Sequence, residues 1–188
     1  MDWHRFVPTN FEYDQELMIM SALQSTITTL QERFTAQLSE FRDQITLTLP
    51  LEQIVSAVRT LRDDFGFDML VDITAVDYWP QVMPRFHVIY QLRSIARNLH
   101  LTLRVAVPGE TPSVPTLTGL FPNANWRERE VWDLFGIRSD GNLDLRRILM
   151  PHDWEGHPLR KDFPLGYEEP QFTFNFEDVV KTKQHAKE

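Results

Sequence analysis

The stretch from Trp126 to Tyr167, called here the charged stretch, constrains this chain more than any other part of the sequence. It places fifteen Asp, Glu, Arg and Lys residues in forty-two positions, seven of them basic and eight acidic. Large apolar and aromatic residues are interspersed with these charges along its length. Because an unpaired charge is costly to bury beside apolar side chains, this composition predicts ion pairs held at a packed surface.

Composition excludes several functional classes. The chain has 188 residues, 42% of them hydrophobic and 24% charged, which is typical of one globular domain with extensions. The absence of cysteine excludes disulfides, thiolate-bound zinc, cysteine-ligated iron–sulfur clusters and a cysteine nucleophile. A net charge of −8 argues against nucleic-acid binding and direct adsorption to an anionic membrane. The polar N-terminus and the lack of an apolar run of ~20 residues predict a cytoplasmic protein that only another subunit would bring to a membrane.

Hydrophobic periodicity predicts both helices and strands. After an arm at residues 1–14, apolar residues recur every three or four positions from Gln15 to Phe41. This period predicts an amphipathic helix, packed either on the core or on another protein. A second helix is predicted at Leu51–Phe65, with a stop at Gly66. The predicted strands are Gln44–Leu49, Met69–Val76, Arg85–Leu92, Asn98–Val107 and Leu145–Leu149.

The remaining segments complete an α+β pattern. Pro108–Pro115 is predicted as a loop and Leu117–Phe121 as a short helix or turn. Asn125 and Glu128 have the spacing of a capping box, and Gly136 would end that helix. We expect a mainly antiparallel sheet with helices packed on one face, an N-terminal helical extension and an extended C-terminal tail. The predicted domain boundaries are 1–43, 44–150 and 151–188.

A metal site is one candidate for chemistry in this sequence. His152 and His157 flank Asp153, and a loop could bring both imidazoles to zinc, which would make the chain a metal-dependent hydrolase. The spacing of five residues and the neighbouring Pro and Gly are unlike a helical zinc motif. Histidines in a turn are therefore the simpler interpretation.

Acid–base catalysis is a second candidate, since five carboxylates lie near apolar segments. These are Asp72, Asp77, Glu128, Glu130 and Asp133. Arginines lie close to them in sequence, and Arg129 is one helical turn from Asp133, where the two can pair. Because pairing lowers a carboxylate pKa, structural ion pairs are the favoured interpretation.

Neither a GxGxxG nor a GxxxxGK[ST] motif is present, so no nucleotide or flavin site is predicted. The centre of the charged stretch is instead LDLRRIL, which contains Arg146 and Arg147. In a strand these two side chains would face opposite sides, so one could pair internally while the other reaches outward. Arg and Trp are also enriched at the anchor points of protein interfaces, which favours a docking surface.

The motifs of the charged stretch resemble those of a known family. The matching blocks are Glu128–Glu130, Asp133–Ile137, Asp144–Leu149 and Asp153–Leu165, with Gly66–Leu70 and Asp72–Tyr78 upstream. With these blocks the chain resembles the 30-kilodalton subunit, also called the C subunit, of proton-pumping NADH:quinone oxidoreductase (respiratory complex I). The resemblance covers roughly Phe34 to Phe176.

The resemblance implies a scaffold in the hydrophilic arm of a membrane-attached enzyme that couples electron transfer to proton translocation. The chain would hold no cofactor and no catalytic residue, while partner subunits would hold iron–sulfur clusters and FMN. Its chief partner would be the quinone-site subunit that resembles the large hydrogenase subunit, at the cytoplasmic side of the inner membrane. A related complex that uses ferredoxin or another donor would need the same scaffold. The residues expected at the interface are Glu128, Arg129, Glu130, Asp133, Asp144, Arg146, Arg147, Asp153, Trp154, Arg160, Lys161 and Asp162.

One loop departs from the family pattern. In the family, an aromatic residue and then Gly-His-Pro usually precede Asp-Leu-Arg-Arg. Here Ser139, Gly141, Asn142 and Leu143 take those places. Residues 1–33 also lie outside the resemblance. If this chain makes contacts that differ from those of the family, we expect them in this altered loop.

Overall fold

A computed structural model describes residues 10–42, 44–81, 83–164, 174 and 176–178, with side chains from residue 21 onward. The helices are α1 (Asn10–Phe34), α2 (Ile54–Asp63) and α3 (Ala124–Phe135). The strands are β1 (Gln37–Phe41), β2 (Gln44–Leu49), β3 (Met69–Asp77), β4 (Phe86–Ser94), β5 (Leu99–Val107), β6 (Ser113–Pro115) and β7 (Arg138–Asp140).

Five strands form one sheet in the order β1-β2-β5-β4-β3, while β6 and β7 form a parallel pair. β1 runs antiparallel to β2, and β2 runs parallel to β5. The predicted α+β class with a mainly antiparallel sheet is confirmed. β2 has the predicted bounds, and β3, β4 and β5 lie within two residues of theirs. The alternation of apolar residues located these strands because every second side chain of β4 and β5 is buried.

One compact unit comprises Met1–Val71 and Tyr90–Val105. In this unit α1 contacts both α2 and β1. The buried apolar side chains of the two helices recur at helical spacing, as predicted. Among the described side chains they are Ile27, Leu30 and Phe34 in α1, and Ile54, Ala57, Val58 and Leu61 in α2.

The predicted extent of the first helix was wrong at both ends. α1 ends at Phe34 rather than Phe41, because Thr35 adopts a left-handed backbone conformation with φ of 49° and the chain returns as β1. Leu38 and Phe41, assigned to the apolar helical stripe, are exposed in β1. At the other end, α1 begins at Asn10, inside the predicted arm, and residues 1–9 lie outside the described part of the chain.

The second helix is shorter than predicted. A 3₁₀ turn at Leu51–Gln53 precedes α2, which ends at Asp63. Gly66 has φ of 66° and lies where the chain turns toward β3, as expected of a helix stop. Within the described residues, no helix is both long and apolar enough to cross a membrane.

The second compact unit comprises Asp72–Ile89 and Ala106–Glu188, and it contains the charged stretch. Part of the predicted Pro108–Pro115 loop is strand β6, which pairs with β7. The strand predicted at Leu145–Leu149 is absent, and this segment is irregular. Its last two backbone N–H groups donate to the carboxylate of Asp133 instead of a neighbouring strand. Leu117–Phe121 forms a turn, one of the two predicted possibilities.

Candidate functional site

Helix α3 carries Glu128, Arg129 and Asp133, three side chains around which the charged stretch is arranged. It ends as predicted at Gly136, which adopts the left-handed conformation with φ of 71° while its N–H donates to the carbonyl of Trp132 at 2.8 Å. A side chain at position 136 would collide with His157 and Arg160. Glycine is therefore required both by the backbone conformation and by the close approach of the chain that follows.

Asp133 is the centre of the first of two ion-pair networks, called here the Asp133 network. Its fully buried side chain accepts a hydrogen bond from the guanidinium of Arg147 at 2.6 Å. It also accepts the backbone N–H groups of Ile148, Leu149 and Met150 at 2.8–3.0 Å. Burial alone would raise the pKa of Asp133, but these four donors outweigh it and hold the pKa below its usual range. The carboxylate is therefore charged, and it fixes the irregular backbone around itself.

Arg147 extends the Asp133 network to the segment that follows. Its guanidinium donates to the carbonyls of Trp154 at 2.7 Å and Gly156 at 3.0 Å. It also lies 5.5 Å from the centroid of the Trp132 ring. Its side chain is only 12% exposed, whereas that of Arg146 is 79% exposed and pairs with Asp144 at 2.6 Å. The two adjacent arginines therefore have different surroundings, although they do not lie in a strand.

Arg129 does not make the expected pair with Asp133. Its guanidinium instead donates to the carbonyls of Arg146 at 2.9 Å and Arg147 at 3.0 Å, while Asp133 pairs with Arg147. It lies 4.0 Å from the Asp144 carboxylate and 5.5 Å from the centroid of the Trp126 ring. The pairing predicted from helical spacing was wrong because the irregular chain after β7 returns to α3 and supplies nearer partners for both residues.

Glu128 also differs from its predicted role. Asn125 is not the cap of α3, which already begins at Ala124, and Glu128 does not complete a capping box. Its buried carboxylate accepts the N–H of Leu117, the hydroxyl of Thr116 and the side-chain amide of Asn142 at 2.7–2.8 Å. Glu128 therefore ties α3 to two loops rather than to its own N-terminus.

The Asn142 contact belongs to the loop that departs from the family pattern. Asn142 also accepts the N–H of Asp144 at 2.8 Å, so its amide joins Glu128 to Asp144, two residues before Arg146. Ser139 is buried in β7, and the side chain of Leu143 is fully exposed. The altered loop thus has its own polar contacts and presents one leucine to solvent.

The second ion-pair network, called here the Arg85 network, has an arginine at its centre. The buried guanidinium of Arg85 donates twice to Asp77, at 2.8 and 2.9 Å, and twice to Asp162, at 2.6 and 3.0 Å. Asp77 also accepts the N–H of Lys161 at 2.9 Å and of Trp79 at 3.0 Å. Burial alone would raise the pKa of Asp77, but these donors keep it below its usual range.

Arg85 was not among the residues selected from the sequence. It immediately precedes an alternating strand, and nothing local to it indicates a partner 77 residues later in the chain. Its guanidinium lies 4.9 Å from the Trp79 ring centroid and 4.8 Å from that of Phe86. The nearby Trp79 and Phe86 are the sequence feature that could have indicated a buried Arg85, because aromatic residues often flank a desolvated arginine.

His157, Leu159 and Arg160 cover the carboxyl end of α3. The N–H of Leu159 donates to the carbonyl of Leu134 at 3.0 Å, and Arg160 donates to that of Phe135 at 2.6 Å. His157 Nδ1 lies 3.0 Å from the carbonyl oxygen of Asp133. Burial lowers the pKa of His157, so its imidazole is neutral at pH 7. These contacts satisfy helix-end carbonyls that otherwise lack intrahelical donors.

The remaining candidate residues lie nearer the surface. Glu130 pairs with Arg127 at 3.2 Å, and Arg127 also reaches Asp72 at 3.2 Å. Asp153 and Trp154 are half-buried in the turn after Pro151, with the indole N–H of Trp154 buried and without a hydrogen-bond acceptor. Among the residues that the structure describes, no group of three or more metal-binding side chains comes together.

Next to the Asp133 network lies a concavity of about 540 Å³, called here the basic pocket. Three arginines and a histidine line it together with two apolar side chains. These residues are Arg129, Trp132, Leu145, Arg146, Arg147 and His152. His152 thus lies at the basic pocket, whereas His157 contacts the end of α3.

Comparison with known proteins identifies a class of respiratory-complex subunits. The fold matches a trypsin-resistant fragment of Nqo5 with a TM-score of 0.60 and 32% identity, over 66% of this chain and 99% of that one. It also matches a chain of the membrane-bound sulfane sulfur reductase, an archaeal respiratory membrane complex, with a TM-score of 0.67 and 23% identity, over 77% and 86% of the two chains. The second likeness concerns the fold alone.

The model of the family described as "Respiratory-chain NADH dehydrogenase, 30 Kd subunit" matches residues 47–169. The C subunit of NADH-quinone oxidoreductase from Roseiflexus sp. (strain RS-1) is 49% identical over 152 residues, which cover 80% of this chain and 87% of that protein. The corresponding protein of Herpetosiphon aurantiacus is 43% identical over 167 residues, covering 85% and 97%. The chain belongs to this 30 Kd subunit family.

Proposed function

We propose that this chain is the 30-kilodalton scaffold subunit of a membrane-attached NADH:quinone oxidoreductase. Family membership supports the assignment to such a complex. The observation that carries the scaffold role is the Asp133 network, in which a buried carboxylate is used to bind an arginine and three backbone N–H groups. A carboxylate held in its charged form by four donors is poorly suited to proton transfer near pH 7.

The Asp133 network also supports the proposal that the charged stretch is a docking surface. The backbone that Asp133 fixes carries Leu149, whose side chain is 62% exposed. Leu143 and Trp126 are exposed in the same unit of the chain. Apolar side chains on a backbone fixed by internal hydrogen bonds lose little entropy on binding, which favours association with another protein.

The proposed chief partner is the quinone-site subunit, the one that resembles the large hydrogenase subunit. We propose that partner chains hold the iron–sulfur clusters and FMN, so that electrons pass through neighbours and not through this chain. Attachment to those partners would place it peripherally at the cytoplasmic side of the inner membrane. The lack of cysteine in the sequence supports an absence of cysteine-ligated clusters here.

Affinity purification of the tagged full chain from its native membranes tests this proposal. We expect co-purification of cluster-bearing subunits, together with NADH-dependent quinone reduction by the purified assembly. Recovery of the chain without any cluster-bearing subunit would overturn the proposal. Elemental analysis of the chain prepared without chelator tests the hydrolase alternative, which requires stoichiometric metal bound at His152 and His157.

A further inference from the structure

The basic pocket has a charge opposite to that of the chain as a whole. Three guanidinium groups line it on a protein with a net charge of −8. Among the residues that the structure describes, their acidic ion-pair partners are two aspartates, Asp133 for Arg147 and Asp144 for Arg129 and Arg146. Three arginines against two aspartates leave one positive charge uncompensated in this group, before any contribution from His152.

Two of the three arginines provide fixed charges. The side chains of Arg129 and Arg147 are 10% and 12% exposed, and both donate to backbone carbonyls. These hydrogen bonds restrain the direction of each guanidinium, while a carbonyl acceptor leaves its positive charge in place. An anion in the basic pocket would therefore meet guanidinium groups whose directions are already fixed, in a group of residues that has one positive charge in excess.

Arg146 differs from the other two because it can change partner at little cost. Its side chain is 79% exposed, and it pairs with Asp144, whose side chain is 32% exposed. Arg146 lowers the pKa of Asp144 to about 2, so both groups are charged at pH 7. Exposed pairs of this kind contribute little to stability, so a carboxylate from another protein can replace or join Asp144.

We propose that the basic pocket receives the carboxylate side chain of an Asp or Glu residue from a neighbouring subunit of the complex. The inference rests on the proposed function and specifies the chemistry of the partner. Arg146 would bind the carboxylate in a bidentate manner, while Trp132 and Leu145 would contact the methylene groups that carry it. The chain's strong negative charge disfavours a lipid phosphate as the occupant, because an anionic membrane surface would repel the chain.

The sequence allows a direct chemical test, because its first 160 residues contain no lysine. The variant Arg146→Lys keeps the positive charge and introduces an amine that a carbodiimide couples to a carboxylate in direct contact. The matched control is Arg138→Lys. Arg138 is 73% exposed and also lies two residues from an aspartate, Asp140, but it does not line the basic pocket. Both variants are assembled into the complex, treated with carbodiimide and digested for mass spectrometry.

We expect an amide cross-link from position 146 to an Asp or Glu of another subunit, and no such product from position 138. Coupling of position 146 only to Asp144, or equal intersubunit coupling from both positions, would overturn the pocket assignment. A lipid would be the occupant instead if two results were found together. Position 146 would give no intersubunit cross-link, and phospholipid would co-purify with the assembled control but be lost from a complex that carries Arg146→Glu. Each of these results would be obtained with an assembled complex, so the proposed scaffold role would still hold. A wild-type chain that binds no other subunit would contradict both the scaffold role and the carboxylate pocket.

Discussion

The two ion-pair networks of the second unit are centred on opposite charges. In the Asp133 network one carboxylate accepts a guanidinium and three backbone N–H groups. In the Arg85 network one guanidinium lies between two carboxylates, those of Asp77 and Asp162. Both centres are buried, and both have aromatic rings close to an arginine.

The difference between the centres determines what each network does to the chain. A carboxylate can accept several backbone N–H groups, so Asp133 shapes an irregular segment that has no strand partner. An arginine has only donors, so Arg85 brings together acidic side chains that are far apart in sequence. The Asp133 network therefore fixes the backbone of residues 148–150, whereas the Arg85 network fastens residues 161–162 to the end of β3.

Removing the centre of the Asp133 network should have the largest effect on stability. Asp133→Ala leaves Arg147 without its buried partner and three N–H groups without an acceptor, so the free energy of unfolding should fall by ~3–5 kcal/mol. Urea denaturation of the purified full chain measures this. Asp140→Ala, at an exposed pair with Arg138, is the matched control and should lie within about 0.5 kcal/mol of wild type. Equal effects from the two variants would contradict the central place of Asp133.

Removing the centre of the Arg85 network should cost less. Arg85→Met leaves Asp162 able to regain water, because its side chain is already 39% exposed, and leaves Asp77 with two backbone donors. We expect a loss of about 2–3 kcal/mol in urea denaturation, with earlier proteolytic cleavage near Lys161. Arg138→Met serves as the exposed control. A loss larger than that of Asp133→Ala would reverse the ranking of the two networks.

Acid should reduce the difference between wild type and Asp133→Ala. The folded-state pKa of Asp133 lies below the ordinary value of ~3.9, so its contribution is present above that pH and is lost as pH falls through the lowered value. The difference in urea midpoint should therefore be constant near neutral pH and shrink below about pH 4. A difference that grows on acidification would mean that the carboxylate is protonated in the folded chain.

The smallest expected effect concerns His157, which contacts the Asp133 network through the carbonyl of Asp133. Burial lowers its folded-state pKa below ~6.5, so the unfolded chain binds a proton more readily and stability falls as pH decreases through ~6.5. His157→Gln should flatten the stability profile between about pH 5 and 7. His100→Gln, at an exposed position on β5, provides the control. An unchanged profile in His157→Gln would show that another group titrates in this range.

Local sequence patterns predicted most regular elements of the fold. Strands β2 to β5 follow from alternation, because one side of each strand is buried, and the end of α3 follows from Gly136. The end of α1 could not be predicted from the sequence pattern, because Leu38 and Phe41 continue the helical period although they lie in strand β1. Thr35 terminates the helix with a backbone conformation that β-branched residues rarely adopt, so the sequence gives no ordinary stop signal there.

The sequence located the charged stretch, but it predicted neither the hydrogen-bond partners within it nor Arg85, which lies outside it. The density of charges and aromatic residues identified the charged stretch, and it includes Asp133, Arg147 and Asp162. Helical spacing instead predicted an ion pair between Arg129 and Asp133. The capping rules predicted a capping box formed by Asn125 and Glu128. The actual partners come from the irregular chain after β7 and from the loop before α3, whose paths depend on tertiary contacts and not on local period.

The most direct test of the scaffold role is the turnover of complexes assembled with Arg147→Ala. Arg147 joins Asp133 to the carbonyls of Trp154 and Gly156, so its loss should disturb the proposed docking surface. The two quantities to measure are the yield of purified complex and, separately, quinone reduction per assembled complex normalised to cluster content. We expect a reduced yield with turnover per complex equal to that of wild type. Full assembly combined with slow turnover would contradict the claim that the charged stretch serves assembly rather than chemistry.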